Sequence, residues 1–314
     1  MLTVDHILFP TDFSPCAEEA FEHAIHMAKH TGATVHVLTV VGEGSDDRPM
    51  EYLPLEEAED GSSLYYAPGP NDDEQDTPVP VVYHQINDRS PADAIVQRVK
   101  ESSIDVVVMG THGRRGAERL LSGSVAEEVV RRAACPVFTV LCQAADADAP
   151  ELPEAQPIDR ILVPVDLSEH TPDVIAHAQG MALLYDAHIY LLHVVEDVAY
   201  PTVYGIDPIT PVLPDVLKRA RQSLQTYAAK LRDSGCAVET HVMPGYAAQD
   251  IVDQASELDC GLILMGTHGR TGLKRFLIGS VAEKVVRRTP CPVFVVKSFG
   301  APIVDNEATF TAEA

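Results

Sequence analysis

A chain of 314 residues with 23 basic and 47 acidic side chains carries a formal charge of −24. That balance repels nucleic acid, and no basic patch offsets it. No apolar run reaches the ~18 residues that cross a bilayer, and the start Met1-Leu2-Thr3-Val4-Asp5-His6 shows neither a basic leader nor a cleavage pattern, so no membrane partner and a cytoplasmic location are expected.

The first element is an apolar run, Ile7-Leu8-Phe9, closing on Pro10-Thr11-Asp12-Phe13-Ser14, which predicts a strand turning into a helix. Further on, Glu43–Pro78 holds 12 acids against Arg48 alone, with five prolines. This composition predicts a mostly solvated loop in place of a covering helix, with only Met50–Ala58 able to form a short helix. A buried strand over Asp105–Met109 leads into Gly110-Thr111-His112-Gly113. Nine residues later, Gly123-Ser124-Val125 opens an amphipathic helix, Ala126–Arg132. Cys135 precedes a short apolar strand, Pro136–Leu141, and Gln143–Pro157 has the Ala/Pro/acid composition of a linker.

The second half repeats the first. Ile161-Leu162-Val163-Pro164-Val165-Asp166-Leu167-Ser168 echoes the first strand at an offset of 154, and Gly266-Thr267-His268-Gly269 with Gly279-Ser280-Val281 echoes the glycine signature at 156. A period this long is a whole domain. Residues 1–142 and 158–298 are therefore expected to be two copies, joined by linker 143–157 and followed by a loose tail, 299–314. The second copy predicts strands over Arg160–Val165, His188–Val195, Ala237–Met243, Cys260–Met265 and Pro292–Lys297. Helices are predicted over Thr171–Tyr185, Asp215–Asp233, Ala247–Glu257 and Ala282–Arg288. Near-continuous Val/Ile/Leu strands with helical crossovers mean a parallel sheet covered on both faces, a doubly wound α/β class.

The chemistry these motifs permit is anion binding at a sheet edge. A glycine directly after a parallel strand marks the carboxyl end, where ligands of open α/β sheets bind. Glycines there permit positive φ or close backbone approach, and a helix N-terminus favours phosphate. Ser124 with Glu127, and Ser280 with Glu283, match a capping box. Asp12 and Asp166 either bond ribose hydroxyls or a divalent cation, or close an Asx turn, and both roles are compatible. His112 and His268 pack on or bond to a ligand rather than catalyse; Arg114, Arg115 and Arg270 either screen phosphate charge or are solvated. Neither a Gly-Lys phosphate loop nor G-x-G-x-x-G occurs, and G-x-S-x-G and H-E-x-x-H are missing as well, so no catalytic residue is expected. Six cysteines without a Cys-x-x-Cys pair or His/Cys ligand spacing give no disulfide frame or zinc site, and no metal site of the protein's own is expected.

Pro-x-Asp-x-Ser after the first strand, G-x2-G-x9-G-Ser before the last helix, and Cys-Pro-Val-Phe resemble the universal stress protein family, as two fused copies covering nearly the whole chain. The glycine spacing is that of the family's nucleotide-binding branch. The resemblance implies in each half a five-stranded parallel sheet, order 3-2-1-4-5, and a cytoplasmic stress-response role without a defined reaction. It also implies ATP, with a divalent cation on its phosphates. Carried onto this chain, the first site is Thr11, Asp12, Val40, Met109, Gly110, His112, Gly113, Arg114, Gly123, Ser124 and Val125. The second is Val165, Asp166, Val194, Met265, Gly266, His268, Gly269, Arg270, Gly279, Ser280 and Val281.

The first half departs from the pattern in two places: Arg89 stands where the second has Gly245, and the helix after the second strand is degraded. The second site is therefore expected to bind nucleotide more tightly than the first, and a tandem interaction module with one or both sites vestigial is the alternative reading. The edge strands Pro136–Leu141 and Pro292–Lys297 are expected to pair antiparallel within one chain, giving an intramolecular pseudo-dimer, with homo-oligomers forming on other faces.

Overall fold

The runs Ile7-Leu8-Phe9, Val106-Val107-Val108 and Ile161-Leu162-Val163 are apolar at every position and at most 2% exposed, because each strand is covered on both faces. The computed structural model describes residues 2–42, 56–57, 63–67, 77–111, 124–141, 157–196, 213–267, 279–289, 291–297 and 303–304. In the first half the elements are β1 (His6–Pro10), α1 (Pro15–Thr31), β2 (Thr34–Val41), β3 (Glu56–Glu57), β4 (Ser63–Ala67), β5 (Thr77–Asn87), α2 (Pro91–Glu101), β6 (Val106–Gly110), α3 (Ser124–Arg132) and β7 (Val137–Val140). The second half has β8 (Arg160–Pro164), α4 (Thr171–Tyr185), β9 (His188–Glu196), α5 (Leu213–Asp233), β10 (Val238–Gly245), α6 (Ala247–Glu257), β11 (Leu262–Gly266), α7 (Ser280–Arg288) and β12 (Val293–Val296).

These strands form one sheet in the order β10-β9-β8-β11-β12-β7-β6-β1-β2-β5-β4-β3. Within each half the order is 3-2-1-4-5, with parallel pairing throughout those five strands. One face carries Phe9, Val35, Phe138, Ile161 and Phe294 beneath α1, α4 and α5. The other carries Leu8, Val107, Leu162 and Ile263 beneath α2, α3, α6 and α7. Helix ends follow local rules: Pro15 begins α1, and Gly32, at φ 76°, ends it by donating its N–H to the Ala28 carbonyl.

The halves meet where β7 and β12 pair antiparallel, Phe138 opposite Phe294 and Thr139 opposite Val293. The Thr139 hydroxyl donates to the Val293 carbonyl at 3.2 Å. Two short apolar edges thus cover each other, which removes the unpaired backbone groups each would otherwise expose.

Two expectations need correction. The acidic stretch is not simply a solvated loop, and the first sheet is not limited to five strands. Ser63–Ala67 adds antiparallel to β5, with Tyr65 opposite Val79, and Glu56–Glu57 adds to it as strand rather than helix. The physical reason is Leu64-Tyr65-Tyr66, an aromatic-rich island between the acidic flanks. The Tyr65 ring meets Phe21 edge-on at 5.1 Å and, like Tyr83, packs on the face that α5 covers in the second half. Residues 43–55, 58–62 and 68–76 lie outside the described residues. Nor is the tail wholly loose: Leu2 and Val304 form an antiparallel bridge, the Thr3 N–H donates to the Ile303 carbonyl at 2.9 Å, and Ile303 is buried. Of the linker, only Pro157 is described.

Candidate functional site

β1 and β8 end in the same strained turn. The Ser14 N–H donates to the Asp12 Oδ1 at 3.1 Å, and the Ser168 N–H donates to the Asp166 Oδ1 at 3.1 Å. The residue between is left-handed in both copies, Phe13 at φ 55° and Leu167 at φ 59°. A bulky residue there costs on the order of 1–3 kcal/mol, strain that clusters at functional sites. The Asx turn is therefore real, and it holds each aspartate at the carboxyl end of its sheet. Thr11 and Val165 are buried just before it, their N–H groups donating to the Leu38 and Leu192 carbonyls at 2.9 Å.

Beside each turn the sheet presents a half-covered apolar rim. Val40 and Val125 in the first half, and Val194 and Val281 in the second, are partly buried against the core face that contains Met109 and Met265. Ile86, opposite Val40 in the first half, and Met243, opposite Val194 in the second, complete this rim.

Of the signature glycines, Gly110 and Gly279 act through closeness rather than left-handed backbone. Among the described glycines only Gly32 and Gly235 have positive φ; Gly110 and Gly266 simply end β6 and β11. A Cβ at Gly110 would lie 3.0 Å from the Cys16 carbonyl oxygen in the first turn of α1. Gly279, at φ −65° and ψ 148°, donates its N–H to the Thr267 carbonyl at 2.7 Å, and a Cβ there would sit 2.9 Å from that oxygen. This bond ties the far end of the glycine loop back to the strand it left.

The expected capping box is not formed at α7. Gly279 is the N-cap, no side chain caps the helix, and Ser280 is its exposed first residue. Glu283 pairs instead with Arg287 one turn on, at 3.2 Å. The α7 N-terminus thus points its first N–H groups and positive dipole end to the sheet's edge. Ser124 begins α3 in the same way; its side chain lies outside the described residues, as do Gly123, His112, Gly113, Arg114, Arg115, His268, Gly269 and Arg270.

Gly245 receives a local explanation. The Asp250 Oδ2 accepts the Tyr246 N–H at 2.6 Å, capping α6, and a Cβ at Gly245 would collide with that carboxylate. In the first half Arg89 is tolerated because Ala94 stands where Asp250 does. There α2 is capped by Ser90, whose Oγ accepts the Asp93 N–H at 3.3 Å.

The described cysteines 16, 135, 236, 260 and 291 are buried and form no disulfide with one another. Burial pushes the Cys135 and Cys260 thiols up to about 12, which leaves them unreactive. Sequence reasoning missed the left-handed Phe13 and Leu167, because bulky apolar residues rarely adopt positive φ and their type gives no signal for it.

The profile described as universal stress protein family matches residues 3–140 and 157–297. The chain belongs to the universal stress protein family, as a two-domain member. A universal stress protein of Methanocaldococcus jannaschii is 34% identical over 139 residues, 44% of this chain and 81% of its own length. One of Mycobacterium bovis is 30% identical over 210 residues, 66% of each chain. In fold, the chain is similar to the crystal structure of an Archaeoglobus fulgidus universal stress protein, with TM-score 0.58 and 21% identity over 95% of this chain and 97% of that one. It is also similar to a functionally unknown protein of Pseudomonas aeruginosa, with TM-score 0.65 and 19% identity over 94% and 92%. Among the described residues no helix is long and apolar enough to cross a membrane.

Proposed function

We propose that each half binds an adenine nucleotide, ATP, at the carboxyl edge of its sheet. On this reading the protein works in the cytoplasm as a nucleotide-dependent regulator of the stress response rather than as an enzyme. The observation supporting it is one arrangement built twice: a strained Asx turn, a half-covered valine rim, and a helix whose N-terminus faces the same edge. Two copies of a costly turn are hard to explain by folding alone.

The assignments follow from chemistry. Val40, Met109 and Val125, with Val194, Met265 and Val281, supply the apolar surface a purine covers. Asp12 and Asp166 suit ribose hydroxyls. Ser124, Ser280 and the α3 and α7 N-termini suit phosphates, and the sequence puts His112, Gly113, Arg114, His268, Gly269 and Arg270 in the loops leading there. A divalent cation would accompany the phosphates. The arrangement fits such a group because Gly279 keeps the approach to Thr267 and Ser280 clear of a Cβ. Mass analysis of nucleotide released from purified protein tests the proposal. Bound adenine nucleotide supports it; none, with no ATP affinity by calorimetry, leaves a tandem interaction module.

A further inference from the structure

Phe138 and Phe294 are partners in the strand pairing that joins the halves, their ring centroids 6.1 Å apart. Each has a histidine beside it: His23 of α1 is 5.0 Å from Phe138, and His177 of α4 is 6.3 Å from Phe294. His23 and His177 are counterparts in the repeat, 154 residues apart. The seam therefore carries a row of four rings, two imidazoles and two phenyls, linked by the internal two-fold.

Both imidazoles are buried, at 8% and 2% exposure. The His177 Nδ1–H donates to the Asp173 carbonyl at 2.7 Å, and the His23 Nδ1 lies 3.3 Å from the Tyr185 hydroxyl. Each Nε2 is buried with no hydrogen-bond partner. A neutral ring tolerates this, since Nε2 can be a lone pair. Protonation would put an N–H and a positive charge there with nothing to receive either.

The surroundings do not rescue that charge. α1 contributes His26, which repels it; α4 contributes Tyr185, kept neutral by burial, and Asp173, which favours a charged His177 but is outweighed by burial. β6, β7, β11 and β12 bring only uncharged residues. Burial holds His23 at about 4 and lowers His177 from its ordinary 6.5.

We propose that the seam is an acid-released latch: neutral His23 and His177 keep β7 on β12, and a proton on each loosens that pairing before either half unfolds. The sign follows from linkage. The unfolded chain takes up these protons below about pH 6.5 and the folded seam resists them, so stability is whole above that value and is lost as pH falls toward about 4. The inference is independent of the nucleotide reading.

Amide hydrogen exchange on the full chain, corrected for intrinsic rates, tests it. Between about pH 7.5 and about pH 5, amides of Val137–Val140 and Val293–Val296 are expected to lose protection about tenfold or more, while Ile161–Val163 keep theirs. The His23→Leu/His177→Leu variant is expected to abolish the difference. Uniform loss across all strands, or the same seam loss in the variant, would overturn the proposal. On β2 and β5, burial also holds the hydrogen-bonded His36 and His84 below their ordinary value, but wild type and variant share that pair. Should the variant not fold, NMR titration of the native imidazoles decides: either ring charging above about pH 6 with the seam still protected refutes the latch, and both staying neutral until the seam opens supports it.

Discussion

Arg287 of α7 closes a two-pronged ion pair on Glu127 of α3, its Nε 2.5 Å from one carboxylate oxygen and its Nη2 2.9 Å from the other. The pair crosses from one half to the other, on the sheet face opposite the histidine row. Its counterpart in the repeat would be Arg131 with Glu283, yet Arg131 pairs with Glu128 and Glu283 with Arg287. The two-fold is thus broken at its surface, where long charged side chains choose among near-equal partners.

Because this pair is exposed, it should contribute little and be screened by salt. A double-mutant cycle with Glu127→Gln and Arg287→Met is expected to give a small favourable coupling in dilute buffer that disappears near ~1 M NaCl, where the screening length is ~3 Å. Coupling undiminished by salt would mean the pair is held far more rigidly than its exposure suggests.

Gly245 and Asp250 offer a sharper test. Gly245→Ala should displace the Asp250 carboxylate from its cap on the Tyr246 N–H and cost about 1 kcal/mol, the usual worth of a cap. In an Asp250→Ala background, which recreates the Arg89/Ala94 situation, the same change should cost much less. Urea denaturation of the four proteins measures both, and equal costs in the two backgrounds would contradict the collision.

Gly279→Val is expected to leave the fold intact and weaken ATP binding by about tenfold or more, since its Cβ would press on the Thr267 carbonyl and shift the α7 N-terminus. Calorimetry with a circular-dichroism control reads this; unchanged affinity in a folded variant counts against the nucleotide site.

With Gly245 explained as room for a cap, the described residues of the two sites match closely. The expected stoichiometry is accordingly two nucleotides per chain. A single equivalent, lost on changing Gly279 and Ser280 but not Gly123 and Ser124, would restore the asymmetry that Arg89 and the missing helix suggest.

Lys297 donates across the seam to the Val130 carbonyl near the end of α3. Burial lowers its pKa from 10.5 to about 8. Between those values the unfolded chain holds a proton that the folded chain has released, so this group makes stability rise with pH, and below about 8 its burial cost is full. Lys297→Met should lose that rise. The readout is the difference between wild type and variant in urea midpoint at about pH 8 and about pH 10, because cysteines and tyrosines titrate there in both. Parallel pH profiles would show that the amine keeps its proton in the fold up to its ordinary value, so that burial does not lower it.

The doubled apolar runs, the 154- and 156-residue offsets and the glycine spacing made the family, the five parallel strands of each half and most helix limits legible in sequence. Thr171–Tyr185 and Ala247–Glu257 fell where periodicity and turn residues put them, because those signals are local. The β4 addition was hidden because Leu64-Tyr65-Tyr66 is short and surrounded by acids. What makes it a strand is the open edge of β5 and the uncovered Phe21.

Sequence alone determined that this is a repeated α/β domain with an aspartate turn and a glycine loop at each sheet's carboxyl edge, since these depend on residue type and spacing. Only the tertiary structure decided why Gly110 and Gly279 are glycines, that Asp250 excludes a side chain at 245, that Ile303 returns to Leu2, and that His23 and His177 face one seam. Each of those is a contact between residues distant in the chain or a collision within a turn, and neither leaves a periodic trace in the order of amino acids.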